Sequence, residues 1–213
     1  MESRLVDGQW AEATVASFSG TYPDIDPWLS PDGERLYFSS IRPVDGQTRA
    51  DADLWMVERD GDDWGEPVHL PNVNTESEEL GASITADGVL WFASDRPGGA
   101  GGWDIYTARP DGDGFAAPEP VDAINQGIWE FNPAISADGN LLVFTSIGRV
   151  GGRGLGDLFF TTLTEGEWSD PEPLAINTPA DEYHASFSPD GRGLYFVRRI
   201  ADGDLYEVPW PNP

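Results

Sequence analysis

Four carboxylates recur at a fixed place in this sequence. Eight residues before each of four Asp-Gly turns stand Asp24, Glu79, Glu130 and Glu182. A second set opens an apolar, aromatic run in each unit: Asp53-Leu54-Trp55, Asp104-Ile105-Tyr106, Asp157-Leu158-Phe159 and Asp204-Leu205-Tyr206. Carboxylates gathered on one rim can bind a cation or a basic partner. Two of them at a set separation can also serve a glycosidase as acid and nucleophile. Arginine can equally neutralise them, because its planar donors match a carboxylate at two points. Arg42 and Arg96 stand where such pairing would occur in the first two units. Arg149 is displaced by one position in the third, and Ile200 takes the place in the fourth. The expectation is therefore that Arg42 and Arg96 each fork between two acids and staple strands. Glu130 and Glu182 are then the freer carboxylates, and the site of any ligand. A catalytic pair should break the symmetry of a repeat; these acids obey it, which favours structure or symmetric binding.

Other chemistry is thinly represented. Asp60-Gly61-Asp62-Asp63 and Asp111-Gly112-Asp113-Gly114 cluster oxygen donors of the kind calcium takes, without the spacing of an EF-hand. No cofactor is expected, and calcium is the one metal these turns suggest. The glycine clusters at 98–102 and 151–156 lack the Gly-Lys-Ser/Thr ending of a phosphate-binding loop. His69 and His184 stand singly, and there is no Gly-x-Ser-x-Gly nucleophile elbow. With no cysteine, thiol nucleophiles, thiolate metal sites and disulfides are excluded.

The elements that must position these acids repeat with them. Ser30-Pro31-Asp32-Gly33 returns as Thr85-Ala86-Asp87-Gly88, Ser136-Ala137-Asp138-Gly139 and Ser188-Pro189-Asp190-Gly191, at intervals of 55, 51 and 52 residues. A short strand precedes each turn and an apolar strand follows it, the strongest short-range hairpin signal. The third strand opens on the second carboxylate. An outer strand follows, with an aromatic residue and a proline three later: Trp64/Pro67, Phe115/Pro118 and Trp168/Pro171. Four strands per unit at this period, with no helical pattern, predict an all-β propeller. It would have four four-stranded blades in one domain, 1–213, with repeats near 24–77, 78–128, 129–180 and 181–213. The last repeat stops after its third strand, so residues 4–18 are expected to supply its missing strand and close the ring. The alternative is that the chain forms part of a larger propeller. Phe38, Phe92, Phe144 and Phe196 should lie in the core.

Charge narrows the partners. There are 38 acidic residues against 12 basic ones, all arginine, for a net charge of −26. Such a field repels nucleic acid and anionic headgroups, so neither nucleic acid binding nor membrane insertion is expected. No apolar run is long enough for a transmembrane helix. The segment Met1-Glu2-Ser3-Arg4-Leu5-Val6-Asp7-Gly8 carries no signal-peptide core.

These units resemble the TolB-like, WD-like β-propeller repeats of bacterial envelope proteins. The resemblance rests on the Ser-Pro-Asp-Gly turn, the Leu-Tyr-Phe strand, Ser94-Asp95-Arg96-Pro97-Gly98-Gly99 with Gly101-Gly102-Trp103-Asp104, and Trp64-Gly65-Glu66-Pro67. It extends from about Asp7 to Tyr206. It implies a periplasmic or extracellular interaction domain, with a cytoplasmic location as the alternative because the chain shows no export signal. The function expected is a non-catalytic binding module for a protein partner or a cell-envelope glycan. The rival class is a glycan hydrolase or lyase built on two of the carboxylates.

Overall fold

The computed structural model describes residues 1–200 and 203–210, and its regular structure is entirely β. Four small antiparallel sheets form the blades of a four-bladed β-propeller. The inner strands are Asp24–Leu29, Glu79–Ile84, Trp129–Ile135 and Asp181–Phe187. Each pairs with a second strand (Arg35–Ser40, Leu90–Ser94, Leu141–Ile147, Gly193–Arg199). That strand pairs in turn with a third (Asp53–Asp60, Asp104–Ala108, Gly156–Thr164, Asp204–Pro209).

The hairpins owe their geometry to the recurring turn. The Ser30 hydroxyl donates to Asp32 Oδ1 at 2.5 Å and accepts from the Arg35 N–H at 2.9 Å, so one side chain bridges both sides of the turn. Ser136 with Asp138 and Ser188 with Asp190 repeat this at 2.6 and 2.7 Å, and Thr85 does so with Asp87. The serine hydroxyl, then a backbone N–H, holds the carboxyls of Asp32, Asp138 and Asp190 below the usual range. The glycine that follows sits at φ 77° in the first unit, a conformation that favours glycine.

Phe38, Phe92, Phe144 and Phe196 are all buried. Successive blades share their cores. Tyr37, Leu54 and Leu70 of the first pack with Phe92 and Tyr106 of the second; Trp91 and Ile105 pack with Phe144 and Phe159; Leu158 and Leu174 pack with Leu194 and Phe196. Burial of each large side chain contributes about 1.5–3 kcal/mol. Trp28 joins the first of these cores to the third.

The outer strands are shorter than the sequence suggests. Val68–His69, Glu119–Pro120 and Glu172–Pro173 are two-residue strands paired with the third strands. The aromatic segment before each proline instead folds back on the end of the third strand, as Arg59 pairs with Trp64 and Leu163 with Trp168. Pro67 and Pro171 lack an N–H and separate the two pieces.

Residues 4–18 do not complete the last blade, which has three strands in the order inner, second, third. Leu5–Val6 and Gln9–Trp10 form their own hairpin. The segment then lies against the first blade: the Phe18 ring is 4.8 Å from Phe38, and Trp64 Nε1 donates to Glu2. The physical reason is apolar area. Phe38, Trp55 and Val57 lie on a face of the first blade that no other blade covers, and Phe18 covers it. The expected fourth repeat extends to 213, and residues 211–213 lie outside the described residues.

The fourth and first blades meet at the axis, where His184 Nδ1 lies 3.2 Å from Asp26 Oδ1. Farther out, the face of the fourth blade turned away from the third carries Leu205, 72% exposed.

Candidate functional site

The inner-strand carboxylates are stapled in all four blades. Arg42 grips Asp24 through Nε–Oδ1 at 3.1 Å and Nη2–Oδ2 at 2.9 Å. Arg96 reaches Glu79 at 2.9 Å, Arg149 reaches Glu130 at 2.8 Å and Arg198 reaches Glu182 at 2.6 Å. Each guanidinium also donates to the carbonyl six residues before its acid: Phe18, Val73, Ile124 and Ile176. Each stands over two aromatic rings, Phe18 and Phe38, Phe92 and Tyr106, Phe144 and Phe159, or Phe196 and Tyr206, with the guanidinium carbon 4.8–5.8 Å from the ring centres. Such contacts add cation–π attraction to the ion pair.

Two expectations are corrected here. Glu130 and Glu182 are not free, because Arg149 and Arg198 occupy them. The arginines enter from different register positions. Arg198 is the cross-strand partner of Glu182, whereas Arg42, Arg96 and Arg149 lie two, two and three residues beyond the partners Ser40, Ser94 and Ser146. A long flexible side chain absorbs that difference. Nor does each arginine fork between two acids, since Arg42 and Arg96 bind only the inner-strand carboxylate.

The remaining lone pairs of these acids are also engaged. Thr75 donates to Glu79 through its N–H and its hydroxyl at 3.0 and 2.7 Å, and Thr178 does the same to Glu182 at 3.0 and 2.6 Å. The Gln126 N–H donates to Glu130 at 3.3 Å, and the Ser19 hydroxyl to Asp24 at 2.6 Å. Burial, opposed by these hydrogen bonds and the arginines, raises the carboxyls of Glu79 and Glu130 above their ordinary values.

The third-strand aspartates diverge. Asp53, fully buried, is held by Arg49 at 3.0 Å and by His69 Nε2 at 3.0 Å, and burial raises its carboxyl. Asp104 accepts from the Gly101 N–H at 3.2 Å, and Asp157 accepts from the Arg153 and Gly154 N–H groups at 2.9 and 3.0 Å. Burial raises the Asp104 carboxyl. Asp204 is exposed. These four share a rim with the stapled acids, but no single ring of free carboxylates results. Among the described residues, no three His, Cys, Asp or Glu side chains converge closely enough to hold a metal ion, including those of the Asp60–Asp63 and Asp111–Asp113 turns.

Two features escaped the sequence reading. One is an asparagine clamp. Asn74, Asn125 and Asn177 each accept from and donate to the backbone of one residue in the preceding blade's third strand: Leu54, Ile105 and Leu158. Their signal was available, since each lies five residues before its acid.

The other is a backbone irregularity at the axis. Each inner strand has a register shift, between Ile25 and Trp28, Leu80 and Ser83, Phe131 and Ala134, and Tyr183 and Ser186. Within each shift the residue two after the acid is left-handed: Asp26 at φ 51°, Gly81 at 62°, Asn132 at 47° and His184 at 54°. A Cβ on Gly81 would come 2.9 Å from Asn132 Nδ2 and 3.0 Å from its Cα, so adjacent blades touch at this level. Three side chains, all different, project from these strained positions. Asn132 is buried, and its Oδ1 has no hydrogen-bond partner.

No protein-family model and no curated protein matches the chain. Solved structures do. TolB from Acinetobacter baumannii aligns over 86% of this chain and 40% of its own, at 20% identity and TM-score 0.51. An α-L-arabinofuranosidase from Lactobacillus brevis aligns over 99% of this chain and 72% of its own, at 16% identity and TM-score 0.54. An endo-arabinase from Bacteroides thetaiotaomicron aligns over 96% and 81%, at 14% identity and TM-score 0.55. The chain thus spans less than half of that TolB, and at these identities the likeness is one of fold.

Proposed function

We propose that this chain is a non-catalytic binding module for a protein partner that presents basic groups. The observation that carries this reading is the stapling of all four repeated carboxylates. A hydrolase built on that rim would need a free acid and a free base, and both are held by arginine beneath aromatic rings. What the molecule offers outward is charge: of its 12 arginines, Arg42, Arg96, Arg149 and Arg198 face inward as staples, under a net charge of −26. Such a field draws cationic partners and speeds their encounter. The repeat resemblance supports a place in the periplasm or outside the cell. No described helix is long and apolar enough to cross a membrane.

The test pairs a binding measurement with a substrate screen. Calorimetric titration with lysine- and arginine-containing peptides should show binding that weakens as salt rises. Arabinan and other polysaccharides should neither be cleaved nor bound. Turnover of any polysaccharide, lost in Glu130→Gln, would overturn the reading in favour of a hydrolase. Glycan binding without peptide binding would replace the protein partner with a sugar.

A further inference from the structure

The four inner-strand bulges are equivalent in backbone and unlike in chemistry. Where the rest of the repeat conserves residue type between blades, these positions read Asp26, Gly81, Asn132 and His184. Left-handed backbone at a non-glycine residue costs on the order of 1 kcal/mol or more, and it persists where the surroundings impose it, often at ligand sites. Here it recurs at the axis, on the strands that neighbour one another around it. Asp26 and His184 face each other across the only point where the described fourth and first blades are joined by an ion pair, at 3.2 Å. Their side chains are 12% and 40% exposed, so solvent reaches the pair.

The set is rich in acceptors. When His184 donates Nδ1–H to Asp26, the ring's other nitrogen keeps a lone pair. Asp26 retains its second carboxylate oxygen. Asn132 Oδ1 is an acceptor, buried and without a partner, and a group of that kind costs free energy until something donates to it.

We propose that Asp26, Asn132 and His184 form an axial receptor for a primary ammonium group, the side chain of a lysine on the partner protein. The inference rests on the binding-module reading and specifies its site. An ammonium has three N–H donors, matching three acceptors from three blades, and a positive charge to offset Asp26. A sugar hydroxyl would ask for donors as well, and only the Asn132 amide supplies them. A guanidinium prefers both oxygens of a carboxylate side by side, and one oxygen of Asp26 is already engaged by His184. The chain contains no lysine, so no ammonium side chain of its own competes for the place.

The experiment is a titration with the blocked tripeptide Gly-Lys-Gly, with Gly-Arg-Gly and Gly-norleucine-Gly as comparisons, followed by proton NMR and calorimetry. The two histidine rings make the spectrum legible. The lysine peptide should shift the His184 ring signals and leave those of His69 in place. Asp26→Asn should weaken it about tenfold or more, the scale of a lost charged hydrogen bond. Asn132→Gly should weaken it severalfold. Asparagine and glycine both accept left-handed backbone, so the variants keep the fold, which a melting curve verifies. Asp62→Asn, on a fully exposed side chain, should leave affinity unchanged. Unmoved His184 signals would overturn the assignment. So would equal losses at Asp26 and Asp62, which would mark a diffuse field. If lysine peptides bind but ignore the axial substitutions, the binding module stands and the axial receptor falls. If no basic peptide binds, both fall.

Discussion

Arg198 lies directly across the ladder from Glu182, while Arg149 stands three residues beyond the position across from Glu130, yet both guanidinium groups reach the same environment. Each closes an ion pair, donates to a carbonyl six residues before the acid, and covers two aromatic rings. The destination is conserved between blades and the route is not. The staple is therefore a packing unit in which the acid, the rings and the preceding loop must be present together.

Removing one arginine should be costly. Arg96→Ala leaves Glu79 buried with its charge uncompensated, and the loss should be about 3–5 kcal/mol in urea unfolding. Adding Glu79→Gln should restore part of it, because the residual penalty is then a neutral polar group. A loss under about 1 kcal/mol, the surface-pair range, would show that the trio is solvated.

Acid should stabilise the protein before it denatures it. Burial raises the carboxyls of Glu79, Glu130, Asp53 and Asp104, so the folded state holds their protons more tightly than the unfolded chain. Between the ordinary carboxylate value, about 4, and the raised folded values, stability falls as pH rises. The lowered carboxyls of Asp32, Asp138 and Asp190 act oppositely: their contribution is present above the ordinary value and lost as pH falls through the folded values. The Tm should climb from about pH 7 to about pH 5 and drop at lower pH, with Glu130→Gln flattening the climb. A Tm that falls steadily over the upper range would contradict this.

Truncation should act on the first blade. Deleting residues 1–18 removes Phe18 from Phe38 and from the Arg42 guanidinium. The expected result is a Tm lowered by several degrees, on the scale of 1–3 kcal/mol, with new binding of a hydrophobic dye. Hydrogen exchange should quicken in Arg35–Ser40 and stay unchanged in Asp204–Pro209. Faster exchange in the latter strand alone would favour closure of the last blade by the N-terminal segment.

The asparagine clamps should be individually large. Asn125→Ala strips partners from both the N–H and the carbonyl of Ile105, in a site where Asn125 is buried. Each unsatisfied group costs about 1–3 kcal/mol, so chemical denaturation should show a loss of at least about 2 kcal/mol. Asn125→Asp should recover little, since it restores the acceptor and not the donor.

The turns, the second strands and the buried phenylalanines were legible because each is a local pattern: Asp-Gly between apolar runs, repeated at one period. The acid column was legible for the same reason. Its partners were not, because sequence offset measures where an arginine is attached and not where six rotatable atoms can carry its charge; Arg198 and Arg149 illustrate both extremes. The destination of residues 4–18 depended on which apolar face lacked cover, a property of the assembled blades. The axial bulges left only a faint trace. Asp, Gly and Asn are the residues that tolerate left-handed backbone, but His184 does not fit that pattern, and a register shift has no sequence of its own.

Each asparagine clamp binds backward, from the loop that starts one blade onto the third strand of the blade before it. The described fourth blade has no such loop after it, and Asp204–Pro209 carries no clamp among the described residues. Coupling between blades therefore has a direction. In a chain of nearest-neighbour units, the free energy needed to open a unit falls towards the one with fewest neighbours. Unfolding should begin as a fraying of the fourth blade and propagate towards the first, so that force, heat or a protease would dismantle the molecule from one side in a set order.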